Sequence, residues 1–151
     1  IEPGTFEKRT RSGGKALKFY ASHEIWLAVK AMTRQKVKGA SDRTRIVGSE
    51  ITARVSKNKL TGASRDVNFN HRHGYGCDDI QSAIDFLVQE STVISKNGAK
   101  LTWRGQTYST TNILIDEIEN RNMEKLLFQD AEQRWNEIEE DLKPSHRKPK
   151  Y

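Results

Sequence analysis

The sequence is poor in residues that cross-link or anchor a protein. It contains one cysteine, Cys77, so no disulfide can form within the chain, which fits a reducing compartment such as the cytoplasm. No apolar run approaches the roughly 20 residues of a membrane-spanning helix, and no segment resembles a signal peptide. A mean hydropathy of −0.81 with 34% apolar residues supports only a modest core. We therefore expect a cytoplasmic chain without a membrane partner, whose core is small or shared with another chain.

Self-contained catalytic motifs are also missing. The phosphate-binding pattern GxxxxGK[ST], the zinc-protease pattern HExxH and the redox or zinc pattern CxxC do not occur in the sequence. No strand-turn-helix elbow marks a nucleophilic serine. His71, His73 and Cys77 could approach one ion, but a structural zinc site needs four ligands. We therefore expect no metal site, and the three side chains are read as an exposed polar strand end.

Positive charge is concentrated in the first part of the chain. Residues 1–60 hold 14 lysines and arginines against 5 acidic residues, whereas residues 61–151 hold 12 against 15. A basic half of this kind is typical of a protein that binds a polyanion such as nucleic acid. A generic solvated surface has the same composition, so charge alone leaves both interpretations open.

Hydrophobic periodicity predicts an α+β fold. Alternating apolar residues predict consecutive strands, which suggests an antiparallel meander or one side of a larger sheet, and helical spacing dominates later. The predicted strands lie near 23–34, 47–57 and 66–71, with an exposed connection at 35–45, and the predicted helices near 80–88, 110–120 and 122–142, with a hairpin within 92–108. The expected domains are a flexible segment at 1–14, a sheet part at 15–74, a small domain at 75–142 and a basic tail at 143–151.

The tripeptide Lys57-Asn58-Lys59 is the most informative polar motif. Two lysines spaced two apart at a strand end project from the same face, and their ammonium groups repel each other. An anion between them, such as a phosphate, would relieve that repulsion. Two solvated lysines would give the same pattern, so the motif by itself decides nothing.

Three longer segments of the sequence carry the motifs of one known family. The first is GGKALKFYAS at Gly13–Ser22, and the second is IVGSEITARVSKNKLTGAS at Ile46–Ser64. Both resemble segments of the RecA family of recombinases. The third segment comprises GYGCDD, the helix after it and KNGAKLTWRG at 96–105. It is similar, more loosely, to the small C-terminal domain of that family. The resemblance covers nearly the whole chain in order, and it implies the C-terminal half of such a protein: the distal strands of the core sheet followed by the small domain.

The resemblance implies a function in homologous recombination. Members polymerise on single-stranded DNA with ATP and Mg²⁺ shared between subunits, then search duplex DNA and exchange strands. By position, Lys57 and Lys59 are implied to contact the γ-phosphate in a neighbouring subunit, and Lys18 and Phe19 to lie at the subunit interface. The residues expected to contact DNA are Lys8, Arg9, Arg11, Gly13, Gly14, Lys100 and Arg104, together with the basic tail. The family is a DNA-dependent ATPase, but this chain, without GxxxxGK[ST], is expected to be inactive alone.

The sequence departs from the family pattern in three places. Glu24 stands where the bacterial proteins usually carry arginine, the segment before Gly13 does not match the usual DNA-binding loop, and the end of the chain is basic where bacterial members commonly end in an acidic tail. These departures favour a relative encoded by a phage or mobile element. Two other functions stay open: a stand-alone, non-enzymatic DNA-binding module, and a protein that caps recombinase filaments.

Overall fold

The computed structural model describes residues 16, 19–39 and 43–143, which divide into two units between Asp79 and Ile80. The first unit contains the strands β1 (His23–Lys36), β2 (Thr44–Asn58), β3 (Asp66–Arg72) and β4 (Gly76–Asp78). The second contains, in chain order, the helix α1 (Asp79–Glu90, which begins at the boundary), the strands β5 (Ile94–Asn97), β6 (Lys100–Trp103) and β7 (Gln106–Tyr108), and the helices α2 (Thr111–Asn120) and α3 (Glu124–Asp141). The predicted α+β class is confirmed.

The first unit is an antiparallel meander in the order β1-β2-β3-β4. Residues directly opposite each other on neighbouring strands share a face of a sheet. One face therefore carries apolar rows across three strands: Ile25 with Val55, Leu27 with Ala53 and Val67, and Val29 with Ile51 and Phe69. The side chains that β1 contributes to these rows are 51–56% exposed. These apolar rows are thus left uncovered by the described residues. An uncovered apolar face fits the expectation that the core of this chain is shared with another chain.

The strands β2 and β3 are held in register by two local features. An added Cβ on Gly48 would lie 2.3 Å from the backbone oxygen of His71, so only glycine allows this close approach. Further along, the Arg54 guanidinium donates to both carboxylate oxygens of Asp66, at 3.0 Å from Nε to each and 2.7 Å from Nη2 to Oδ2. This hydrogen bonding lowers the pKa of Asp66, because it stabilises the ionised carboxylate.

Two connections differ from the sequence prediction. The stretch 35–45 was expected to be an exposed connection, but β1 continues to Lys36 and β2 begins at Thr44. The turn between them is closed by the amide of Val37, which donates to the carbonyl of Arg43 over 2.8 Å. The sequence did not predict this extension, because both faces of this end of the hairpin are solvated. Its residues are therefore polar and show no apolar alternation that would mark a strand. The short strand β4 was not predicted; a 2.8 Å ion pair between Arg72 and Asp78 fixes its return onto β3.

The second unit has its own hydrophobic core. Helices and strands each contribute fully or nearly buried side chains to one cluster, which consists of Ile80, Ile84, Leu87, Ile94, Leu101, Trp103, Tyr108, Leu114, Ile118 and Leu127. The predicted hairpin is present as β6–β7, and β5 adds a third strand. The two predicted C-terminal helices are confirmed as α2 and α3. Along α3, Leu127 is buried and Ala131 packs against the core, as does Met123 directly before the helix, but Leu142 directly after the helix is 62% exposed.

Candidate functional site

The two lysines of the K-N-K motif converge on one backbone oxygen at the end of β2. Lys57 lies in the strand and Lys59 directly after it. The Nζ of Lys59 donates to the carbonyl oxygen of Phe19 at 2.7 Å, and the Nζ of Lys57 donates to the same oxygen at 3.4 Å. The two ammonium nitrogens therefore lie close together, because both contact the same oxygen. The spacing of the lysines predicts side chains on one side of the strand, and the structure brings them together there.

Asn58 shapes the turn that presents the lysine pair. Its Oδ1 accepts hydrogen bonds from the amides of Leu60 at 3.1 Å and Thr61 at 3.3 Å, and its Nδ2 donates to the Thr61 hydroxyl at 2.6 Å. The amide of Lys59 donates to the carbonyl of Ser22 over 3.0 Å, which ties the turn to the start of β1. Asparagine side chains commonly stabilise turns in this way. Asn58 had no predicted role, although an asparagine at the end of a strand is a recognisable turn signal.

A buried acidic residue lies beside the lysine pair. Glu24 is 6% exposed and faces Lys57 across the β1–β2 ladder. The indole nitrogen of Trp26 donates to Glu24 Oε1 at 2.7 Å, which helps to satisfy this buried carboxylate. Opposite charges directly across an antiparallel pair are favourable. The departure from the family pattern at position 24 therefore gives Lys57 an acidic cross-strand neighbour.

An exposed aromatic pair flanks the same strand end. Phe19 and Tyr20, which are helical, are 71% and 78% exposed, and their rings meet edge to face with centroids 5.5 Å apart. The Lys59 ammonium lies 5.6 Å from the centroid of the Phe19 ring, within cation–π range. Aromatic side chains with so much exposed surface are typical of protein interfaces. Lys18, the other residue predicted for a subunit interface, lies outside the described residues.

Two of the individual residues predicted to contact DNA lie in the part of the chain that the structure describes. Lys8, Arg9, Arg11, Gly13, Gly14 and the tail beyond Lys143 lie outside the described residues. Lys100 is exposed at the start of β6. Arg104 occupies the β6–β7 turn, with a φ of +50°. Both residues belong to the second unit, whereas the lysine pair belongs to the first.

Arg104 is less available to bind a DNA phosphate than the sequence predicts. Its Nη2 lies 2.7 Å from Asp130 Oδ1, and its guanidinium stacks 5.5 Å from the centroid of the Trp103 ring. The other oxygen of Asp130 accepts a 3.0 Å hydrogen bond from the buried indole nitrogen of Trp103. One carboxylate on α3 thus holds both Trp103, the last residue of β6, and Arg104, the first residue of the β6–β7 turn. A DNA phosphate would have to compete with Asp130 for Arg104.

Neither a metal cluster nor a spanning helix is found in the part of the chain that the structure describes. Within residues 16, 19–39 and 43–143, no group of three histidine, cysteine or carboxylate side chains could hold an ion. The His71 and His73 rings lie 6.0 Å apart, and Cys77 faces His71 across the β3–β4 pair. None of the helices in these residues is long and apolar enough to cross a membrane.

Comparison with known proteins identifies the family. No protein-family model matches the chain. Protein RecA of Rhodospirillum centenum is 32% identical over 97 residues, which is 64% of this chain and 25% of the relative. Protein RecA of Chloroherpeton thalassium is 34% identical over 110 residues, covering 70% of this chain and 29% of the relative. Protein RecA of Acinetobacter baumannii strain AYE is 27% identical over 145 residues, or 89% of this chain and 39% of the relative.

The chain contains a RecA-family C-terminal region. It spans between a quarter and two fifths of the length of these RecA relatives. The meander with its K-N-K turn and the small helical unit are therefore the two parts of a region that is similar to the C-terminal region of RecA proteins. The activities of a whole RecA protein are therefore proposed for this chain in the next subsection.

Proposed function

We propose that the chain is the C-terminal part of a RecA-like protein that binds DNA, forms filaments and contributes in trans to ATP-dependent strand exchange. The observation that carries the proposal is the convergence of Lys57 and Lys59 on the carbonyl oxygen of Phe19. Two cationic side chains of one strand end are held on one acceptor, beside an exposed aromatic pair. That combination couples an anion-binding function to a protein-binding surface.

The lysine pair fits the terminal phosphate of a nucleotide held by a neighbouring subunit. A neutral carbonyl uses one donor hydrogen from each ammonium group, and an ammonium group has three. A phosphate with several negative oxygens would be a stronger acceptor than the Phe19 carbonyl, because its negative charge attracts both ammonium groups. Lys59 is exposed and Lys57 is partly exposed, so both can turn toward such a group. ATP with Mg²⁺ would supply the γ-phosphate, and the lysines would stabilise the charge that develops on it.

Phe19 would couple the nucleotide to the subunit interface. Both lysines bind its backbone oxygen, so their movement toward a phosphate releases the segment that carries the Phe19 and Tyr20 rings. The rings are exposed and positioned to pack on a second RecA-type subunit. The uncovered apolar face of the β1–β3 sheet supports the same conclusion, since exposed apolar rows of this extent mark interaction surfaces.

DNA binding is proposed for the basic first half of the chain, together with Lys100, Arg104 and the basic tail. The partners are single- and double-stranded DNA, and the location is the cytoplasm, which is consistent with the single exposed Cys77. A stand-alone DNA-binding module and a cap for recombinase filaments remain the alternatives, and the tests below distinguish them from the main proposal.

The direct test of this proposal uses the purified chain with labelled oligonucleotides. We expect no ATP turnover, because the sequence lacks GxxxxGK[ST], and DNA binding that weakens with salt but selects no sequence. Contacts to about four phosphates give a slope of log affinity against log salt near −3 to −4. Binding that ignores salt, or that depends on one base sequence, would contradict the proposal. DNA binding without any binding to RecA-type subunits would favour the stand-alone module, and binding confined to filament ends would favour the cap.

A further inference from the structure

The pairing of β1 with β2 changes register beside the lysine pair. Ile25 faces Val55, and Glu24 faces Lys57. Ser56 is therefore the extra residue of a β-bulge on β2. In a regular ladder Ser56 would face Glu24, and Lys57 would lie on the other face of the sheet. The bulge thus places Lys57 on the same face as Glu24, and the Ser56 hydroxyl donates to the carbonyl oxygen of Glu24 over 3.3 Å.

Glu24 is a buried carboxylate that is sensitive to nearby charge. It is 6% exposed, and acidic residues are almost never this buried unless they are paired. Its Oε1 accepts a hydrogen bond from the Trp26 indole, and Lys57 is the cation directly across the ladder. If the Lys57 ammonium moved away, the carboxylate would lose its cross-strand cation at a position that water barely reaches, which is costly. The burial of Glu24 therefore favours a Lys57 side chain that stays at the strand end.

Lys59 is held by contacts that are easier to exchange. Its Nζ lies 2.7 Å from the Phe19 carbonyl oxygen and 5.6 Å from the centroid of the Phe19 ring, and both residues are exposed. The Nζ of Lys57 lies 3.4 Å from the same oxygen, which is longer than a usual N–H···O hydrogen bond. The neutral Phe19 carbonyl therefore holds Lys59 more than Lys57, and water or a phosphate can replace it. The two lysines thus differ in their main partners, Phe19 for Lys59 and Glu24 for Lys57.

We propose that Glu24 is a positioning residue that retains Lys57, so that Lys59 is the lysine that leaves Phe19 for a phosphate. The proposal rests on the phosphate-binding function proposed above for the lysine pair. Glu24 also lowers the local charge that a free anion meets, from +2 for the two lysines to +1. Lys57 therefore binds only a phosphate that a neighbouring subunit presents beside it. The competing explanation is that Glu24 serves only as an acceptor for Trp26 and that both lysines bind phosphate equally.

The test measures the binding of tripolyphosphate to the purified full chain by NMR. The dissociation constant is taken from the backbone amide signals of Asn58–Thr61, which report on the turn of the lysine pair. Lys59→Gln should weaken binding about fivefold, the upper range for an exposed ion pair. Glu24→Gln, which keeps an acceptor for the Trp26 indole, should strengthen binding about two- to fivefold, because it releases Lys57. The double variant Glu24→Gln/Lys57→Gln keeps the net charge of the wild type and should bind within about twofold of it.

Two controls make the result specific to Glu24. Glu50→Gln removes a carboxylate that pairs with Lys30 on the same sheet, at the other end of β2 from Lys57. The separation along the strand is roughly 20 Å, which is beyond the screening length of about 8 Å at physiological salt, so this variant should leave the dissociation constant unchanged. In the wild-type chain, tripolyphosphate should shift the side-chain signals of Lys59 much more than those of Lys57, and this comparison needs no change at Glu24.

Each other outcome has a distinct meaning. If Glu24→Gln binds as the wild type does and the double variant loses as much as Lys59→Gln, Glu24 has only a structural role and the proposal is overturned. Equal shifts of the two lysines in the wild type would also overturn it, while phosphate binding by the pair would stand. If Glu24→Gln does not fold, the comparison of the two lysines in the wild type decides alone. If neither the wild type nor Glu24→Gln binds tripolyphosphate at this turn, the proposed phosphate-binding function is contradicted, and the role of Glu24 with it.

Discussion

Asp130 is expected to stabilise the second unit and to restrain Arg104 at the same time. Its two oxygens bind the Trp103 indole nitrogen at 3.0 Å and Arg104 at 2.7 Å. Trp103 is 1% exposed, so its nitrogen cannot turn to water when Asp130 is removed. An unsatisfied buried donor costs about 1–3 kcal/mol. The ion pair to the half-exposed Arg104 adds about 0.2–1 kcal/mol.

We therefore predict that Asp130→Ala lowers the free energy of unfolding of this unit by about 1–4 kcal/mol. Two variants separate the contributions: Asp130→Asn keeps an acceptor for the indole, and Arg104→Gln keeps the indole hydrogen bond but removes the ion pair and the stacking on the Trp103 ring. Asp130→Asn should cost under about 1 kcal/mol and Arg104→Gln under about 2 kcal/mol. Urea unfolding is followed by circular dichroism at 222 nm, because the helices α1–α3 lie in or at the border of this unit.

A matched change in DNA binding should accompany the loss of stability. Released from Asp130, Arg104 can contact a phosphate, so Asp130→Asn should steepen the salt slope of DNA binding by about 1. If Asp130→Ala lowers the free energy of unfolding by less than about 0.5 kcal/mol, the role assigned to the indole hydrogen bond is refuted. An unchanged salt slope in Asp130→Asn would remove Arg104 from the DNA-binding surface.

Two further predictions concern the two units separately. Leu87 is 0% exposed in the core of the second unit, so Leu87→Ala should cost about 2–5 kcal/mol, whereas Val93→Ala, at a 42% exposed position, should cost far less; urea unfolding at 222 nm checks both. The pKa of Asp66 is lowered in the folded state by its hydrogen bonds from Arg54, so its stabilising contribution is present above the unfolded pKa near 3.9 and is lost as pH falls through the folded value. Unfolding of wild type and Asp66→Asn between pH 7 and pH 2 should converge at the acid end, and a difference that is constant with pH would contradict this.

The sequence predicts much of this fold because most elements follow their hydrophobic pattern. Alternation along Ile25, Leu27 and Val29 marks β1, and helical spacing along Ile80, Ile84 and Leu87 marks α1, since each set faces one side. The extension of β1 to Lys36 and of β2 back to Thr44 was not predicted because neither face of this end of the hairpin is apolar. The strand β4 escaped prediction because it has only three residues, Gly76–Asp78, and depends on an ion pair from Arg72.

The candidate site was harder to predict because its decisive contacts join distant parts of the chain. The spacing of Lys57 and Lys59 shows that they share a side of the strand, but not that both reach Phe19, about 40 residues earlier. In the same way, nothing near Arg104 in the sequence indicates that Asp130, 26 residues later, holds it. Local periodicity carries no information about such pairs, which arise only when the elements pack.

The central claim, that Lys57 and Lys59 act on a nucleotide held by a neighbouring subunit, is tested most directly by mixing mutant subunits. The chain is joined to a RecA-family half that carries the phosphate-binding loop, and DNA-dependent ATP hydrolysis is measured. Lys57→Ala alone should lower the rate about a hundredfold, which corresponds to a loss of about 2–4 kcal/mol of transition-state stabilisation. Lys125→Ala, at an exposed position on α3, is the matched control and should leave the rate unchanged.

Mixing Lys57→Ala subunits with subunits mutated in the phosphate-binding loop should then restore part of the activity. Each mutant is defective on one side of an interface only, so a fraction of the mixed interfaces pairs two intact sides. The account predicts recovery that passes through a maximum as the mixing ratio varies. If co-assembly is normal and no ratio restores activity, the lysines act within their own subunit or have no part in the reaction, and the account is contradicted.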